Sequence, residues 1–399
     1  MTAISYRLLG SHAPLTVEDY RRAARRALPP MAWAYVEGGA EDELTLQRNV
    51  DAFRRWGLRQ RVLTGVGEPD LSVTVAGVPL SLPVVLAPTG LTGFSHWRGE
   101  LGAAQAAERC GTRSIVSNAA TYSLQEIGDG TSEHHWFQLY PWGNNRGHMR
   151  EMLRRAEAAG FHALFVTVDV PIYGRRETEL RRGMGIPPVL TPRRVLECAT
   201  RPRWAYQLVR HKRFTLRNLV EEVGAAAAVQ SVQLQTAYLY PDMSWDDLDW
   251  VRSQWHGPVF VKGVMDPEDA EIAVSLGVDG IVVSNHGGRQ LESGVGTLDV
   301  LPEVVDAVDG RAEVLVDGGI RRGTDIVKAL SLGARAVLIG RPFVYGLAAG
   351  GADGAVGVIE ILRAELHRTL ILMGCKSVQE LDRSWLLGFD NVSVQTRKT

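Results

Sequence analysis

Eight short apolar runs, alternating with segments of helical character, constrain the fold of this chain more than any other feature. The runs cover residues 83–87, 114–116, 136–139, 163–168, 258–261, 280–283, 313–316 and 336–339. Runs this apolar are typical of strands buried on both faces of a parallel sheet, and eight strand–helix units close most simply into a barrel. We therefore predict an α/β fold, a (β/α)8 TIM barrel with N-terminal helices and a long insertion between strands four and five. An open, doubly wound sheet is the competing fold, but its Gly-x-Gly-x-x-Gly pattern does not follow the first strand.

The length and composition narrow the possible classes of protein. The 399 residues suit one barrel with insertions as well as two ordinary domains, and we predict one domain over residues 1–399, with the insertion at about residues 180–243. Upstream of the barrel, Thr16 and the acidic residues after it are typical of a helix N-cap, so a helix is expected over 20–27. A second helix is expected from Met31 until Gly38 and Gly39 end it. A formal net charge of -1 gives no reason to expect a nucleic acid partner.

The cysteines and the hydropathy pattern indicate the compartment. Cys110, Cys198 and Cys375 lie far apart and lack Cys-x-x-Cys spacing, so we expect neither a disulfide framework nor a metal site. Residues 1–10 lack the apolar stretch of a secretory signal, and the chain has no run of about 18 uncharged apolar residues. These features predict a cytoplasmic protein that is at most peripheral to a membrane.

Polar or glycine-rich residues follow every one of the eight runs. In chain order they are Pro88-Thr89-Gly90, Ser117-Asn118, Gln138-Leu139-Tyr140, Thr167-Val168-Asp169, Lys262-Gly263, Ser284-Asn285-His286, Asp317-Gly318-Gly319 and Gly340-Arg341. Because barrel enzymes carry their active sites at the carboxyl ends of the strands, this regularity predicts one site at that end of the barrel.

The loop after the sixth run, residues 284–291, carries the most informative pair of side chains. His286 has an unperturbed pKa near neutrality and is suited to accept a proton. Arg289 offers a planar fork of donors that matches a carboxylate. The pair predicts a site that binds an acid and removes a proton close to its carboxylate.

The ends of the last two runs predict a phosphate site. Gly318, Gly319 and Gly340 offer backbone amides beside helix N-termini, where such barrels bind phosphate, and Arg321 and Arg341 add positive charge. A phosphorylated cofactor or substrate is therefore expected.

Taken together and in this order, these motifs resemble the FMN-dependent α-hydroxy acid oxidase and dehydrogenase family, which includes glycolate oxidase, lactate oxidase and mandelate dehydrogenase. The resemblance runs from the N-terminal helices to about Cys375. It implies FMN as cofactor and oxidation of a 2-hydroxy acid to the 2-oxo acid. It also implies O2, a quinone or another electron acceptor, and a homo-oligomer, usually a tetramer.

The resemblance also assigns roles in catalysis and substrate binding. His286 is similar to the family's base, and Asp169 to the carboxylate that orients this histidine and raises its pKa. The residues similar to those that contact the substrate are Tyr35, Tyr140, Arg176 and Arg289. A flavin-type isopentenyl diphosphate isomerase or a pure binding barrel shares the flavin site but would not need this set.

The same resemblance implies the cofactor contacts. Lys262 would lie beside the flavin N1 and C2 carbonyl, where a cation stabilises the reduced ring. The residues assigned to the flavin ring and its surroundings are Pro88, Thr89, Gly90, Ser117, Gln138, Thr167, Ser284 and Asp317. Those assigned to the phosphate are Gly319, Arg321, Gly340 and Arg341.

Two departures from glycolate oxidase concern the substrate. Ala119 stands where those enzymes carry Trp, which leaves room for a bulky or aromatic 2-hydroxy acid such as mandelate, unless Trp97 or Tyr173 fills the gap. Gly90 stands where they carry Ala, and Gly accompanies dehydrogenases more often than oxidases. Both features, with the segment 201–211, resemble mandelate dehydrogenase. The alternative is an L-lactate or glycolate-type oxidase that passes electrons to O2 and yields hydrogen peroxide.

The insertion at 180–243 is basic and amphipathic. Its basic residues are Arg193, Arg194, Arg201, Arg203, Arg210, Lys212 and Arg213, interspersed with Trp204, Tyr206, Leu208, Val209 and Phe214. A lid over the flavin with a solvated basic face, common in this family, is the first interpretation of such a stretch. Contact with an anionic membrane, as in the mandelate dehydrogenases that it resembles, is the alternative, and the two are compatible.

Overall fold

The structure is a computed structural model that describes residues 13–141, 145–184, 189, 191–220 and 225–388. The predictions for residues 1–10 and for 185–188, 190 and 221–224 of the insertion lie outside this range.

The strands are β1 (Trp56–Leu58), β2 (Val73–Val75), β3 (Val78–Leu80), β4 (Val84–Leu86), β5 (Ile115–Ser117), β6 (Trp136–Leu139), β7 (Leu164–Thr167), β8 (Val259–Val264), β9 (Gly280–Val283), β10 (Glu313–Asp317), β11 (Ala336–Ile339) and β12 (Leu386–Gly388). The helices are α1 (Val17–Ala27), α2 (Pro30–Glu37), α3 (Leu44–Arg54), α4 (Gly99–Arg109), α5 (Leu124–Asp129), α6 (Arg146–Ala158), α7 (Glu177–Arg181), α8 (Pro192–Ala199), α9 (Pro202–His211), α10 (Ala225–Ala237), α11 (Trp245–Ser253), α12 (Pro267–Ser275), α13 (Thr297–Val308), α14 (Gly323–Ser331) and α15 (Arg341–Met373).

Strands β4 to β11 form one parallel sheet in which each strand pairs with the next along the chain from β5 to β11, and β11 pairs with β4. The ring closes where the Leu86 amide donates to the Arg113 carbonyl oxygen at 3.0 Å, just before β5. The predicted TIM barrel is therefore confirmed, and all eight apolar runs form its strands. Strand β8 extends three residues beyond the predicted end, to Val264, because the backbone bulges at Gly263, where φ is +114°.

The amino-terminal end of the barrel is filled by apolar side chains. Trp136, Phe165 and Phe260 stack across the interior, with ring centroids 5.5 and 4.7 Å apart along the series. The hairpin of β2 and β3 covers this end, and its Val75 is fully buried in the same apolar cluster. This end therefore stabilises the fold and leaves the opposite end open for chemistry.

The N-terminal helices cover one side of the barrel mouth. Helix α1 begins at Val17, directly after the predicted N-cap residue Thr16, which forms a reciprocal capping box with Asp19. Helix α2 begins with Pro30 and brings Tyr35 to the mouth of the barrel.

Among the described residues, α15 is long and apolar enough to cross a membrane by length and composition, with a mean hydropathy of 1.2. It is interrupted at Gly350 and Gly351, and 67% of its apolar window is buried against the rest of the protein. Its position, packed on α1, α4 and α14, is that of a core helix.

Candidate active site

A cavity of about 970 Å³ opens at the carboxyl ends of the barrel strands. The predicted site residues that line it are Tyr35, Pro88, Thr89, Gly90, Ala119, Gln138, Tyr140, Thr167, Arg176, Lys262, His286, Arg289, Asp317, Gly319, Arg321, Gly340 and Arg341. Three others, Ser117, Asp169 and Ser284, lie behind this lining and contact it by hydrogen bonds. The structure thus brings the predicted residues together around one cavity.

His286 and Asp169 form a close pair at the ends of β9 and β7. The imidazole Nδ1 lies 2.9 Å from Asp169 Oδ1. Two unusual backbone positions make this contact possible. His286 has a φ of +59°, and its amide donates to Ser284 Oγ at 3.1 Å. A Cβ on Gly263 would lie 2.7 Å from Asp169 Cβ, so only glycine lets the carboxylate approach at that point.

The electrostatics leave this histidine neutral. Burial lowers the pKa of His286, and neither the attraction of Asp169 nor its hydrogen bond restores it to the usual value. Burial alone would raise the pKa of Asp169, but His286 and Lys262 hold it below the usual range. Asp169 raises the pKa of His286 as expected, but the net pKa is lowered, because burial beside the cations Lys262 and Arg176 outweighs the one carboxylate. An ionised Asp169 then accepts Nδ1–H, which leaves Nε2 free to accept a proton.

Arg289 is held in place by three acceptors. Its Nη1 donates to the carbonyl oxygens of Tyr35 at 3.0 Å and Gly38 at 2.7 Å. Its Nη2 donates to Glu179 Oε1 at 2.7 Å, in an ion pair whose carboxylate side chain is 6% exposed. Sequence reasoning missed Glu179. Its position in the sequence was the available signal. Glu179 follows Arg176 by three residues, and this spacing places the two side chains on one face at the N-terminal end of α7.

Arg176 and two tyrosines complete this polar wall. Arg176 Nη2 donates to Gln290 Oε1 at 3.1 Å, and burial lowers the pKa of Arg176. The Tyr35 hydroxyl donates to the Gly90 carbonyl oxygen at 3.0 Å, and burial raises the pKa of Tyr35 to about 12. Burial likewise raises the pKa of Tyr140, whose ring centroid lies 6.5 Å from that of His286. Both tyrosines are therefore protonated donors at working pH, beside two guanidinium groups.

The opposite wall contains buried polar atoms without partners. Lys262 Nζ donates to Ser284 Oγ at 2.7 Å and lies 2.9 Å from Asp317 Oδ2. Although burial disfavours the charge, Asp317 and Asp169 raise the pKa of Lys262, so it is a fixed cation. Gln138 Nε2 and Thr167 Oγ1 have no hydrogen-bond partner among the described residues. A heterocycle with carbonyl and amide groups along one edge would satisfy them.

The end of the cavity beside β10 and β11 fits an anion. Gly318 and Gly319 have φ values of +89° and +86°, and a Cβ on Gly319 would lie 2.0 Å from the Asn49 carbonyl oxygen. Arg341 is half-buried at the first turn of α15 and donates to the carbonyl oxygens of Gly287 and Gly38 at 2.9 and 2.8 Å. Within the described part of the chain it forms no ion pair, and burial lowers its pKa to about 10. A phosphate would neutralise this guanidinium at a helix N-terminus.

The two departures from glycolate oxidase lie next to each other. Ala119 lines the cavity, and a Cβ on Gly90 would lie 3.0 Å from Ala119 Cβ. Trp97 stacks on His211 with ring centroids 4.0 Å apart and does not line the cavity, whereas Tyr173 does.

Comparison with known proteins adds to this geometry. A model described as FMN-dependent dehydrogenase matches residues 24–387. An L-lactate dehydrogenase of Pseudomonas paraeruginosa is 42% identical over 92% of this chain and 97% of its own length. One from Xanthomonas campestris pv. campestris is 43% identical over 91% of this chain and 94% of its own. Among solved structures, the monotopic membrane protein (S)-mandelate dehydrogenase has a TM-score of 0.90 at 36% identity, covering 94% of this chain and 100% of that one. A mandelate oxidase with (S)-2-phenylpropionate has a TM-score of 0.78 at 35% identity, covering 94% and 98%.

Proposed function

Since the chain belongs to the FMN-dependent dehydrogenase family, we propose that it oxidises a bulky 2-hydroxy acid, such as mandelate, to the 2-oxo acid. The observation that carries the proposal is the large cavity, which combines the His286–Asp169 pair with Arg176, Arg289 and space beyond Ala119. The residues present fit FMN. Gln138 and Thr167 offer unpartnered polar atoms for its ring, Lys262 a cation beside it, and Arg321 and Arg341 a site for its phosphate.

In the proposed reaction, the substrate loses two protons and two electrons. Bound FMN would take up the two electrons and one of the two protons, and His286 accepts the other. Arg289, Arg176 and the Tyr35 hydroxyl bind the substrate carboxylate, and Tyr140 donates to the substrate oxygen. His286 Nε2 accepts a proton from the substrate, and Asp169 stabilises the imidazolium that forms.

The test is an anaerobic spectrum of the purified yellow protein while (S)-mandelate and, separately, L-lactate are added. We expect mandelate to bleach the flavin absorbance. The rate at which colour returns on admitting air then separates an oxidase from a dehydrogenase. A protein that contains flavin but is bleached by neither acid would contradict the proposal.

L-lactate dehydrogenase activity is the second candidate, because the curated relatives at 42 and 43% identity carry that name. Replacing Ala119 with Trp separates the two. If mandelate is the substrate, the Ala119→Trp variant should lose bleaching by mandelate and keep bleaching by lactate. An unchanged preference would remove the argument from Ala119.

We also propose that α8 and α9 contact a membrane surface. Their exposed apolar side chains include Val195, Leu196, Tyr206 and Val209, and basic residues flank them. Liposomes containing anionic lipid should pellet the protein, and salt should release it. A Leu196→Glu variant should bind less than the wild type, whereas Leu63→Glu, in a separate exposed loop, should bind equally. Salt-insensitive or absent binding would contradict the proposal. The single domain over 1–399, the cytoplasmic location and the homotetramer stay predictions.

A further inference from the structure

The cavity continues beyond the polar walls into an apolar chamber under the insertion. We define this chamber by six of its side chains, Met184, Cys198, Leu208, Leu216, Val229 and Val232. They come from α8, α9, α10 and the adjoining loops. Within the described lining between residues 184 and 235, no side chain is acidic or basic, and Gln235 is the only amide.

The chamber is continuous with the space beside the substrate position. From Gly90 and Ala119 the lining passes through Leu91 and Phe94 to Trp204. The indole Nε1 of Trp204 donates to the Phe94 carbonyl oxygen at 2.7 Å, and the two rings pack edge to face with centroids 5.3 Å apart. This contact fixes α9 to the barrel mouth, so the passage has a defined wall.

The outer end of the chamber opens at an apolar surface. Val195 on α8 and Val209 on α9 both line the cavity, yet they are 56% and 73% exposed. They therefore stand at its mouth. Leu196 and Tyr206, on the same two helices, are 67% exposed each, so the surface around the mouth is apolar as well.

We propose that the chamber is a subsite for a long, unbranched aliphatic chain at carbon 2 of the substrate. The proposal rests on the proposed function and names its substrate class, a medium-chain or long-chain 2-hydroxy acid. Arg289 and Arg176 bind the carboxylate at one wall, and His286 faces the reacting carbon. The remaining substituent then extends past Ala119 into the chamber. Ala119, Val195 and Val209 all line this one cavity, so a flexible alkyl chain can follow the apolar lining toward the mouth. Each added methylene buries more apolar surface there, and the methyl group of lactate buries the least.

The test is a series of (S)-2-hydroxy acids on the FMN-loaded protein, from L-lactate through 2-hydroxyhexanoate and 2-hydroxyoctanoate to 2-hydroxydecanoate. The rate of anaerobic flavin reduction is measured at several concentrations of each acid. We expect kcat/KM to rise by about fourfold for each methylene until the chamber is full. A flat or falling series would overturn the chamber as a substrate subsite. Bleaching by mandelate in that case would leave the proposed function intact.

A Val232→Trp variant narrows the chamber. The ratio of kcat/KM for 2-hydroxydecanoate to that for L-lactate should fall at least about tenfold in this variant. Ile272→Trp, on the outer face of α12, is the matched control and should leave the ratio unchanged. A Leu208→Trp variant repeats the test from α9 if the first variant does not retain flavin.

A lipophilic electron acceptor is the other occupant that this chemistry would suit, and reoxidation of the reduced flavin distinguishes it. If Val232→Trp slows reoxidation by a short-chain ubiquinone analogue but leaves reduction by 2-hydroxydecanoate unchanged, the chamber serves the acceptor and the proposal is overturned. If Val232→Trp slows flavin reduction by 2-hydroxydecanoate and lowers the ratio of its kcat/KM to that for L-lactate, the proposal stands.

Discussion

The two ends of the barrel are built from the same eight strands but differ in the polarity, charge and backbone conformation of the residues that they contain. At the amino-terminal end, the aromatic rings of Trp136, Phe165 and Phe260 stack in a buried interior. At the carboxyl end, His286 has left-handed backbone angles, and Lys262 is a buried cation. Buried charges and strained backbone cost stability, and they persist here because the other end supplies it. The difference implies that substitutions at the two ends should separate activity from stability.

The largest effect is expected for His286→Asn. Asparagine tolerates the left-handed backbone at this position but cannot serve as the base. The rate constant for anaerobic flavin reduction should fall by about 10²–10⁴-fold. The free energy of unfolding in urea should fall by less than for a substitution in the apolar interior, because asparagine keeps the backbone conformation and the main cost is the hydrogen bond lost to Asp169. A rate within a few-fold of the wild type would mean that another group is the base.

Phe165→Ala is the matched change at the other end. It should lower the free energy of unfolding by about 3–5 kcal/mol, because it leaves a cavity in the stacked interior. Flavin reduction by the folded fraction should proceed at the wild-type rate. If this variant also lost the rate per folded molecule, the separation between the two ends would be wrong.

The next largest effect is expected on anion binding, when the ion pair between Glu179 and Arg289 is changed. Glu179→Gln keeps an acceptor for Arg289 Nη2 but removes the negative charge, so the dissociation constant of oxalate, a substrate-like dianion, should fall about tenfold. Glu179→Ala removes the acceptor as well, and kcat/KM should fall because Arg289 loses its position. Weaker binding of oxalate to Glu179→Gln than to wild type would show that the charge itself positions Arg289.

Glu179 also shows where the sequence stops being informative. The eight strands were predictable because apolar runs and the polar residues after them are local patterns, although the bulge that extends β8 to Val264 was not. The Arg289–Glu179 pair joins positions far apart in the chain and depends on how α7 packs against α2.

The neutral state of His286 could not be predicted from the sequence for a related reason. Its pKa is set by burial, which appears only once the insertion and the N-terminal helices cover the barrel mouth. The amphipathic pattern of α8 and α9 likewise predicted an apolar surface but not a chamber behind it.

The pH dependence tests the charge state at the carboxyl end. Because His286 must be neutral to accept a proton, the rate of flavin reduction should fall as the pH drops through a pKa below the usual histidine value of 6.5. Asp169 opposes this lowering, so in Asp169→Asn the acidic limb of the profile should move to still lower pH. A limb that moves to higher pH would contradict the assigned interaction.

The smallest effect is expected where Gly90 and Ala119 meet. A methyl group added at Gly90 lies 3.0 Å from Ala119 Cβ and 3.2 Å from its carbonyl oxygen, so one of the two loops must shift by a few tenths of an ångström. Because the Gly90 carbonyl oxygen accepts from the Tyr35 hydroxyl, the shift reaches the carboxylate site. Gly90→Ala should therefore lower kcat/KM for bulky acids several-fold, at the scale of mild overpacking. Adding Ala119→Gly removes the contact with Ala119 Cβ and should restore most of the lost kcat/KM. A double-mutant cycle on flavin reduction measures this coupling between the two positions. Strictly additive effects would mean that the methyl group acts on the flavin side rather than through Ala119. In that case Gly90 would control the access of the electron acceptor, and Ala119 would control the size of the substrate independently.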